Sequence, residues 1–378
     1  MSKKTGGRRS RAESPNGAHT LVEILSQPSC WSESLKGLEL NGTLKRLAGR
    51  FRDAEEWVFV GCGSSFYVAQ AASASMTALT ALRAQALPAS ELLLFPRQAL
   101  AARVKIVPVL ISRSGRTSEV LKVAEWLREH KIPTLGISCA PGQRLEKLVG
   151  SAIVLPAADE QSTVMTRSFT TMLMGLEGLA AKLGGQQDFM AAQLTLENCA
   201  GNLLRTLPQK IRGFVNLHDF EDYVCLGQGG LYGIACESAL KLTEMSVSYG
   251  QSFHTLEFRH GPKSIVSKKT LIVFLLSESG YEPEIEVLEE VKKLGGSTLV
   301  VANRAEARAR AAADLLVELR ADKVPEIARL PLYVIAGQLM GLYTGIKKGH
   351  DPDKPRNLSR VVVLEEEGPA ETPQHAAI

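Results

Sequence analysis

Three ionisable residues share one face of a predicted helix in the second half of the chain. Glu237, Lys241 and Glu244 are spaced i, i+4 and i+7 and follow a glycine turn at residues 227–230. This spacing places all three on the same side of a helix. A solvated salt-bridge stripe has the same spacing, but the small and apolar residues between them favour a closed site. There, a carboxylate held near a lysine can abstract a proton next to a carbonyl group.

A histidine follows in a non-helical loop. His260 precedes Gly261-Pro262 and stands after Glu257 and Arg259. A lone histidine is more often structural, but imidazole both gives and takes a proton near neutral pH. The histidine is therefore a second candidate for proton transfer. No His, Cys, Asp or Glu group has the spacing of metal ligands, and we expect no metal.

Hydroxyl side chains cluster at two predicted strand-to-helix turns of the first half. Free backbone N–H groups at a helix N-terminus favour an anion, and hydroxyls add donors. One capping serine per turn would be ordinary, but five hydroxyls over two turns exceed it. The pattern predicts a phosphate site. Its residues are Ser64, Ser65, Ser112, Ser114 and Thr117, with the charge of Arg113 beside them.

Strands alternate with helices along most of the chain, which predicts parallel sheets covered by helices on both faces. A strand followed by Gly-Cys-Gly at 61–63 recurs as a strand followed by Gly-Gln-Gly at 227–229. Two similar α/β halves therefore fit better than one large sheet. Neither turn completes G-x-G-x-x-G, so we expect no dinucleotide cofactor. The predicted strands are 57–60, 105–111, 134–138 and 152–156, then 222–226, 271–276, 297–302 and 315–319.

The segments between and around these halves complete the predicted organisation. Residues 169–207 have helical periodicity and connect the halves. The predicted divisions are a disordered basic tail at 1–18, N-terminal helices at 19–52, a phosphate-binding domain at 53–195, a domain with the ionisable helix at 196–363, and a flexible tail at 364–378.

Composition excludes several classes of function. The 378 residues carry a net charge of +4, and five of the basic residues lie in the first eleven positions. The remainder is nearly neutral, so nucleic acid is not an expected partner. The chain has no run of about 18 apolar residues, so we expect no membrane span. The basic tail has no apolar segment behind it, and the six cysteines contain no C-x-x-C pair, so we expect a cytoplasmic protein.

At these residues the chain resembles the SIS (sugar isomerase) family in its double-domain form. The likeness runs from about residue 20 to 363. It is closest to the isomerase part of glutamine–fructose-6-phosphate aminotransferase and to amino-sugar-phosphate deaminases and ketose/aldose isomerases. The motifs are GCGSS (61–65), SRSGRTSE (112–119), TRSFTT (166–171), ESALKLTE (237–244), FRHGP (258–262) and DKPRNLSRVV (353–362).

The resemblance implies a fold and a set of substrate contacts. The fold is α/β, with two tandem flavodoxin-like domains, each a five-stranded parallel sheet flanked by helices. Val164 and Arg360 fall at positions that contact the substrate. The positions that match the family's phosphate site are Ser65, Ser112, Arg113, Ser114 and Thr117.

The resemblance also implies how the reaction is divided among residues. Glu244 matches the carboxylate that moves a proton between the first two carbons of the sugar, and Glu237 and Lys241 line the same site. His260 matches the ring-opening histidine, which the family supplies across a homodimer interface. No cofactor is implied.

Three departures from the pattern of glutamine–fructose-6-phosphate aminotransferase, called the synthase below, bear on the reaction. Arg360 stands where the synthase has a lysine able to form an imine, and an arginine stays protonated. Ser-Arg-Ser-Gly replaces Ser-Gln-Ser-Gly, as in the deaminase and ketose-isomerase branch, and Met165 replaces a serine. We also expect no glutaminase domain in this chain. The expected function is isomerisation of a phosphorylated sugar of the fructose-6-phosphate or glucosamine-6-phosphate type, with loss or gain of ammonia left open. The alternative is a sugar-phosphate-binding regulator without turnover.

Overall fold

The computed structural model describes residues 15–100 and 104–364. Three helices lead into the first sheet. They are α1 (Ala18–Leu25), α2 (Gln27–Leu40) and α3 (Thr43–Arg50). The strands of the first half are β1 (Glu56–Gly61), β2 (Arg83–Pro88), β3 (Ile106–Ile111), β4 (Leu135–Ser138) and β5 (Ser151–Val154). Its helices are α4 (Ser64–Thr80), α5 (Ala89–Leu94), α6 (Pro96–Ala99), α7 (Ser118–Glu129) and α8 (Arg144–Leu148).

Three helices connect the halves, namely α9 (Arg167–Leu183), α10 (Phe189–Leu204) and α11 (Leu207–Leu217). The strands of the second half are β6 (Asp222–Gly227), β7 (Tyr249–His254), β8 (Thr270–Leu275), β9 (Ser297–Ala302) and β10 (Leu315–Glu318). Its helices are α12 (Leu231–Ser246), α13 (Tyr281–Lys293), α14 (Ala307–Ala312) and α15 (Leu330–Lys347).

Each half contains one five-stranded sheet, and every strand pair in both sheets is parallel. The strand orders are β2-β1-β3-β4-β5 and β7-β6-β8-β9-β10, so the halves repeat one topology. The predicted fold class, two tandem α/β units with parallel sheets, is confirmed. Strands β1 and β3 are neighbours, as are β6 and β8. The turns that follow each pair therefore meet at the carboxyl edge of their sheet.

The sequence pattern missed one of the five strands in each sheet, namely β2 in the first and β7 in the second. Strands β2 and β7 are edge strands, and most of their residues are half-buried. A strand with one open edge tolerates polar and small residues, so it lacks the apolar run that marks central strands. In the N-terminal region, α2 begins at Gln27 and has proline in its first turn.

The predicted tails fall mainly outside the described residues, on 1–14 and 365–378. The described part of each tail is fixed. The backbone N–H of Gly17 donates to Asp351 Oδ1 at 3.0 Å, and α1 begins at Ala18. The backbone N–H of Leu364 donates to the Ser118 hydroxyl at 3.0 Å. Described residues of both predicted tails therefore bond to the rest of the chain.

The two G-x-G turns have a structural reason that involves no nucleotide. A Cβ at Gly61 would lie 2.5 Å from the Ser65 carbonyl oxygen, and Gly227 lies as close to the Leu231 carbonyl. The second glycine of each turn, Gly63 or Gly229, has a φ of 55°, a region that side chains disfavour. Each turn therefore folds tightly enough to start a helix directly above its strand.

A glycine row on α15 lets that helix pack closely against α12. Gly337, Gly341 and Gly345 follow one another at four-residue spacing, which places them on one face. A Cβ at Gly341 would lie 2.6 Å from the Lys241 carbonyl oxygen. The core that surrounds this contact draws buried residues from both halves, including α4, α9, α12 and α15. The helix that carries the ionisable residues is thus held by the core.

Replacing Gly341 with alanine tests this support. The added methyl group must displace the α12 backbone, and overpacking of this kind costs between about 1 and 3 kcal/mol. Chemical denaturation measures the loss. Gly213→Ala is the matched control, because Gly213 lies in α11 with nothing within 4 Å of its Cβ position. The control gains up to about 1 kcal/mol from helix propensity. Equal effects of the two variants would contradict the close packing.

Two further properties concern the described residues as a whole. All six cysteines are free thiols. Within residues 15–100 and 104–364, no helix is both long and apolar enough to cross a membrane.

Candidate active site

Helix α12 carries the ionisable residues to a crossing with α4. A Cβ at Gly233 would lie 2.7 Å from the Ala71 backbone nitrogen, so the two helices nearly touch. Because α4 begins at the first glycine turn, its first residue, Ser64, reaches the charged face of α12. One helix from each half therefore builds the centre of the site.

Four side chains form a buried network at this crossing. The Ser64 hydroxyl donates to Glu237 Oε1 at 3.1 Å, and Lys241 Nζ donates to the Ser64 oxygen at 3.2 Å. Lys241 Nζ lies 3.3 Å from Glu237 Oε1 and also donates to Glu244 Oε2. The side chains of Glu237 and Lys241 are fully buried, whereas Glu244 is 19% exposed. The site therefore opens at Glu244, with the other two charges behind it.

Burial and neighbouring charges shift the pKa values of Glu237 and Lys241. Desolvation raises the pKa of Glu237 to about 8, and the charge of Glu244 adds to this, while Lys241 and the Ser64 hydroxyl oppose it. Desolvation acts to lower the pKa of Lys241, but the charges of Glu237 and Glu244 raise it above its ordinary value. Burial thus favours the neutral form of Glu237, while the acidic side chains around Lys241 favour its charged form.

One carboxylate oxygen at the site has no protein partner. Glu237 Oε2 is buried and makes no hydrogen bond within the described residues. A buried polar atom without a hydrogen-bond partner carries a desolvation cost. The network therefore presents both a partly exposed carboxylate and an unused polar atom.

The pH dependence of stability tests the protonation of Glu237. Its folded-state pKa of about 8 lies above the ordinary 4.5, so the folded state keeps a proton that the unfolded chain releases between these values. The unfolding free energy of the wild type should fall relative to that of Glu237→Gln across this window, by up to about 1.4 kcal/mol per pH unit. Denaturation at pH 4 to 9 measures the difference. Parallel curves would show that Glu237 titrates normally.

The predicted phosphate turns lie side by side at the carboxyl edge of the first sheet. Ser112 and Thr117 share a hydrogen bond of 2.9 Å between their hydroxyls, and Ser114 Oγ accepts the Arg116 N–H at 3.2 Å. The Ser65 hydroxyl lies 3.9 Å from the sulfur of Met165. The structure brings four of the five predicted hydroxyls to these turns, and it joins the fifth, Ser64, to the α12 network.

The corresponding turn of the second half is filled by a carboxylate of the protein itself. Ser-Glu-Ser-Gly at 277–280 follows β8 as Ser-Arg-Ser-Gly at 112–115 follows β3. Glu284 accepts the Ser277 N–H at 2.8 Å and the Ser277 hydroxyl at 2.8 Å. Burial raises the pKa of Glu284 to about 7. The second turn therefore already holds an acidic group, whereas the hydroxyls of the first turn bond only within that turn.

Two predicted substrate contacts, Arg113 and Val164, bond to each other. Arg113 Nη1 donates to the Val164 carbonyl at 3.0 Å and lies 3.4 Å from Glu160 Oε2. Arg113 is only 5% exposed. Sequence reasoning missed Glu160, which is buried and also accepts the Thr166 N–H at 2.6 Å. Its only signal is its place just before the TRSFTT motif.

Arg360 and His260 lie apart from the α12 network. Arg360 Nη2 donates to Asp159 Oδ1 at 2.6 Å at the surface. His260 is exposed, and within the described residues its side chain makes no hydrogen bond. Its loop is held by the buried Phe258 and by Arg259, whose Nη2 lies 2.8 Å from Glu290 on α13. No described hydrogen bond or ion pair joins His260 to Glu237 or Glu244 of the same chain.

A tyrosine that the sequence reading missed borders the network. Tyr67 is half-buried on α4, three residues after Ser64. Burial raises its pKa, and the nearby Cys236, Glu237 and Glu244 act in the same direction. Its i, i+3 spacing from Ser64 is the signal that could have found it. No group of three or more His, Cys, Asp or Glu residues in the described part of the chain could hold a metal ion.

The candidate site is distinct from the larger surface grooves. One groove of about 570 Å³ is lined by α10, α11 and β10, and it includes none of the candidate residues. The network of buried charges, rather than the size of a cavity, therefore identifies the site.

The family model for the SIS domain matches the chain twice, at residues 50–182 and 217–343. The chain belongs to the SIS domain family. Each match contains one of the two parallel sheets, and α10 and α11 lie between the matches. The SIS domains thus correspond to the repeated halves, and the network lies where the first helix of one domain crosses that of the other.

Known proteins of the family share most of the chain. It is 27% identical over 361 residues to glutamine–fructose-6-phosphate aminotransferase (isomerizing) of Chlamydia muridarum, covering 92% of this chain and 58% of that protein. The chain thus spans little more than half the length of this SIS relative. The structure of glucosamine-6-phosphate deaminase from Thermotoga maritima matches with 30% identity and a TM-score of 0.75, covering 92% of this chain and all of that one.

A structure with lower sequence identity shows the same fold. The tagatose-6-phosphate ketose/aldose isomerase of Escherichia coli matches with 22% identity and a TM-score of 0.79, covering 94% of this chain and 98% of that one.

Proposed function

We propose that the protein is a phosphosugar isomerase acting on fructose-6-phosphate or glucosamine-6-phosphate type substrates. The observation that carries this proposal is the buried Ser64–Glu237–Lys241–Glu244 network, with its single opening at Glu244. The relatives named above are an aminotransferase that isomerises, a deaminase and a ketose/aldose isomerase. All three names involve sugar phosphates.

Glu244 is the proposed base. It takes the proton from the second carbon of the open-chain aldose, and the electron pair left behind forms an enediol-like intermediate. Returning the proton to the first carbon, while the hydroxyl proton passes from the oxygen of the second carbon to that of the first, gives the ketose. Lys241 orients the carboxylate and supplies a fixed positive charge near the developing oxyanion. When the second carbon carries an amino group, the same transfer gives an enolamine, and its hydrolysis releases ammonia.

The phosphate is proposed to bind at the two serine turns. The hydroxyls and the N-terminal N–H groups of α4 and α7 supply donors to a dianion. They are those of Ser65, Ser112, Ser114 and Thr117, with Ser64 between the phosphate and the proton-transfer network, and with Val164 and Arg360 beside the sugar.

An imine between enzyme and sugar is not part of the proposal. An imine needs a neutral amine, but the acidic side chains of Glu237 and Glu244 beside Lys241 raise the pKa of that amine. Arg360 does not lose its proton, and its guanidinium is paired with Asp159. Proton transfer through an enediol or enolamine requires neither group to be a nucleophile.

The working form is proposed to be a cytoplasmic homodimer, with His260 opening the sugar ring in the site of the partner subunit. The exposure of His260 and the ion pair that joins its loop to α13 support this assignment. A residue that faces solvent in one chain can complete the site of another chain across a two-fold interface.

A substrate panel tests the proposed function. The purified protein is incubated with phosphorylated hexoses and hexosamines, with and without ammonia, and isomers and free ammonia are followed by NMR and a coupled assay. We expect interconversion of an aldose or 2-amino aldose phosphate with fructose-6-phosphate. Tight binding of a sugar phosphate without turnover would favour the alternative, a regulator. The presence of Arg360 in place of the synthase's lysine also favours that alternative.

A further inference from the structure

The chain after α15 returns to the first half and lies across the phosphate turn. We name residues 351–364 the C-terminal strap. Asp353 Oδ1 accepts the backbone N–H of Thr20 at 2.7 Å and its hydroxyl at 2.7 Å. At the other end, the Val362 carbonyl accepts the Ser118 N–H at 3.2 Å, at the start of α7. The strap is therefore fixed to α1 and to the helix that follows the phosphate turn.

Arg113 joins the strap, the phosphate turn and the loop at residues 159–164. Its Nη1 donates to the Val164 carbonyl at 3.0 Å and to Glu160 Oε2 at 3.4 Å. Its Nη2 donates to the Thr163 carbonyl at 2.9 Å and to the Arg360 carbonyl at 3.1 Å. These contacts occupy all four Nη hydrogens of a guanidinium, and only Nε–H has no partner in the described part of the chain.

These contacts leave the guanidinium unable to bind a phosphate in the usual two-pronged manner. Arg113 is 5% exposed, and a phosphate would have to displace carbonyls that belong to two other chain segments. The neighbouring hydroxyls of Ser112 and Ser114 bond only within their own turn, to the Thr117 hydroxyl and the Arg116 N–H.

We propose that Arg113 is a positioning residue that fixes the C-terminal strap and the 159–164 loop against the phosphate turn, so that the strap covers the sugar while hydroxyls hold the phosphate. This inference rests on the proposed function. Arginine suits the position because its planar fork donates to several carbonyls at once, whereas glutamine has one NH₂ group and lysine lacks the fixed geometry.

If Arg113 bound the phosphate, replacing it would lower both kcat/KM and the affinity for inorganic phosphate. As a positioning residue, it should affect kcat/KM alone. Inorganic phosphate, as a competitive inhibitor, probes the serine turns alone, whereas kcat/KM for the sugar phosphate also requires the strap. In Arg113→Gln and Arg113→Lys we expect kcat/KM to fall between about 10- and 100-fold, because misplaced substrate contacts cost rates of that order. The inhibition constant of inorganic phosphate stays within about twofold.

Two further variants keep the result interpretable. Arg113→Gln leaves Glu160 buried without its ion partner, so Arg113→Lys, which keeps the charge, provides the folded comparison. Thr20→Val removes the hydroxyl bond to Asp353 and loosens the strap from its other end. It should give the same pattern with a smaller loss. Arg128→Gln, on the exposed last turn of α7, is the neutral control.

Hydrogen exchange supplies a readout that does not need turnover. The amides of Ser118 and Leu364 both bond across the contact between strap and α7. They should exchange faster in Arg113→Lys and Thr20→Val, and at the wild-type rate in Arg128→Gln.

A loss of phosphate affinity in proportion to kcat/KM, or unchanged exchange at both amides, would overturn the inference. If the wild type turns over no sugar of the panel, the proposed function fails. Phosphate binding by calorimetry and the exchange rates then still decide the role of Arg113.

Discussion

Glu244→Gln should lower kcat by about 10²- to 10⁴-fold, the usual contribution of a positioned general base. The amide keeps an oxygen that can accept the hydrogen bond from Lys241, so the network retains its shape while losing its base. Steady-state kinetics with the best substrate of the panel measures the effect, and KM should change little because the phosphate turns are untouched.

The control for Glu244→Gln is Glu129→Gln, at the exposed end of α7, which should keep full activity. Thermal unfolding of both variants shows whether the loss of rate comes from the chemistry. Full activity of folded Glu244→Gln would remove Glu244 as the base and leave the site without an assigned proton carrier.

A heterodimer of Glu244→Gln and His260→Ala chains should regain activity that both parent variants lack. If each site takes Glu244 from one chain and His260 from the other, this heterodimer has one intact site and one site with both changes. Co-expression with two affinity tags and tandem purification isolates it. We expect about half the wild-type rate per dimer, since one of two sites is whole.

The opposite result identifies the other arrangement. If both residues served a site within one chain, each chain of the heterodimer would lack one of them, and no activity would return. The double variant Glu244→Gln/His260→Ala, paired in the same way with wild-type chains, is the control. In the cross-subunit arrangement each of its sites lacks one residue, so that dimer is inactive.

The central strands could be predicted from the sequence because buried strands require apolar residues. Strands such as β3 and β8 are buried on both faces and appear as continuous apolar runs. The edge strands β2 and β7 have no such run, since an open edge relaxes the requirement for apolar side chains. Helices α9 and α10 were predicted as one helical stretch, because the break between them depends on a local turn at Gly185, where φ is 68°.

The candidate site could be predicted from the sequence only where the spacing of residues along one helix brings their side chains together. The i, i+4, i+7 spacing on α12 predicted that Glu237, Lys241 and Glu244 share one face, and the structure joins them in one network. The partner of that network, Ser64, lies more than 170 positions away, as the separation of 173 to Glu237 shows. Only the crossing of α4 and α12 brings it there, and no local pattern encodes that crossing.

Arg113 shows the same limit from the other side. Its position in a Ser-Arg-Ser-Gly turn suggested a phosphate ligand, because a cation beside hydroxyls favours an anion. Its hydrogen bonds instead reach the loop at 159–164 and the carbonyl of Arg360, 247 positions away. Residue type and neighbours predict the chemistry that a group can do, but long-range contacts decide whether the group is free to do it.

Proton exchange with solvent tests the account most directly. The protein is incubated in deuterated water with fructose-6-phosphate, and separately with glucosamine-6-phosphate, and the first two carbons are followed by NMR. We predict deuterium at these carbons at a rate that Glu244→Gln reduces by at least about 10²-fold. Binding of both sugars with no deuterium at either carbon would contradict proton transfer at this site and identify the protein as a sugar-phosphate-binding regulator.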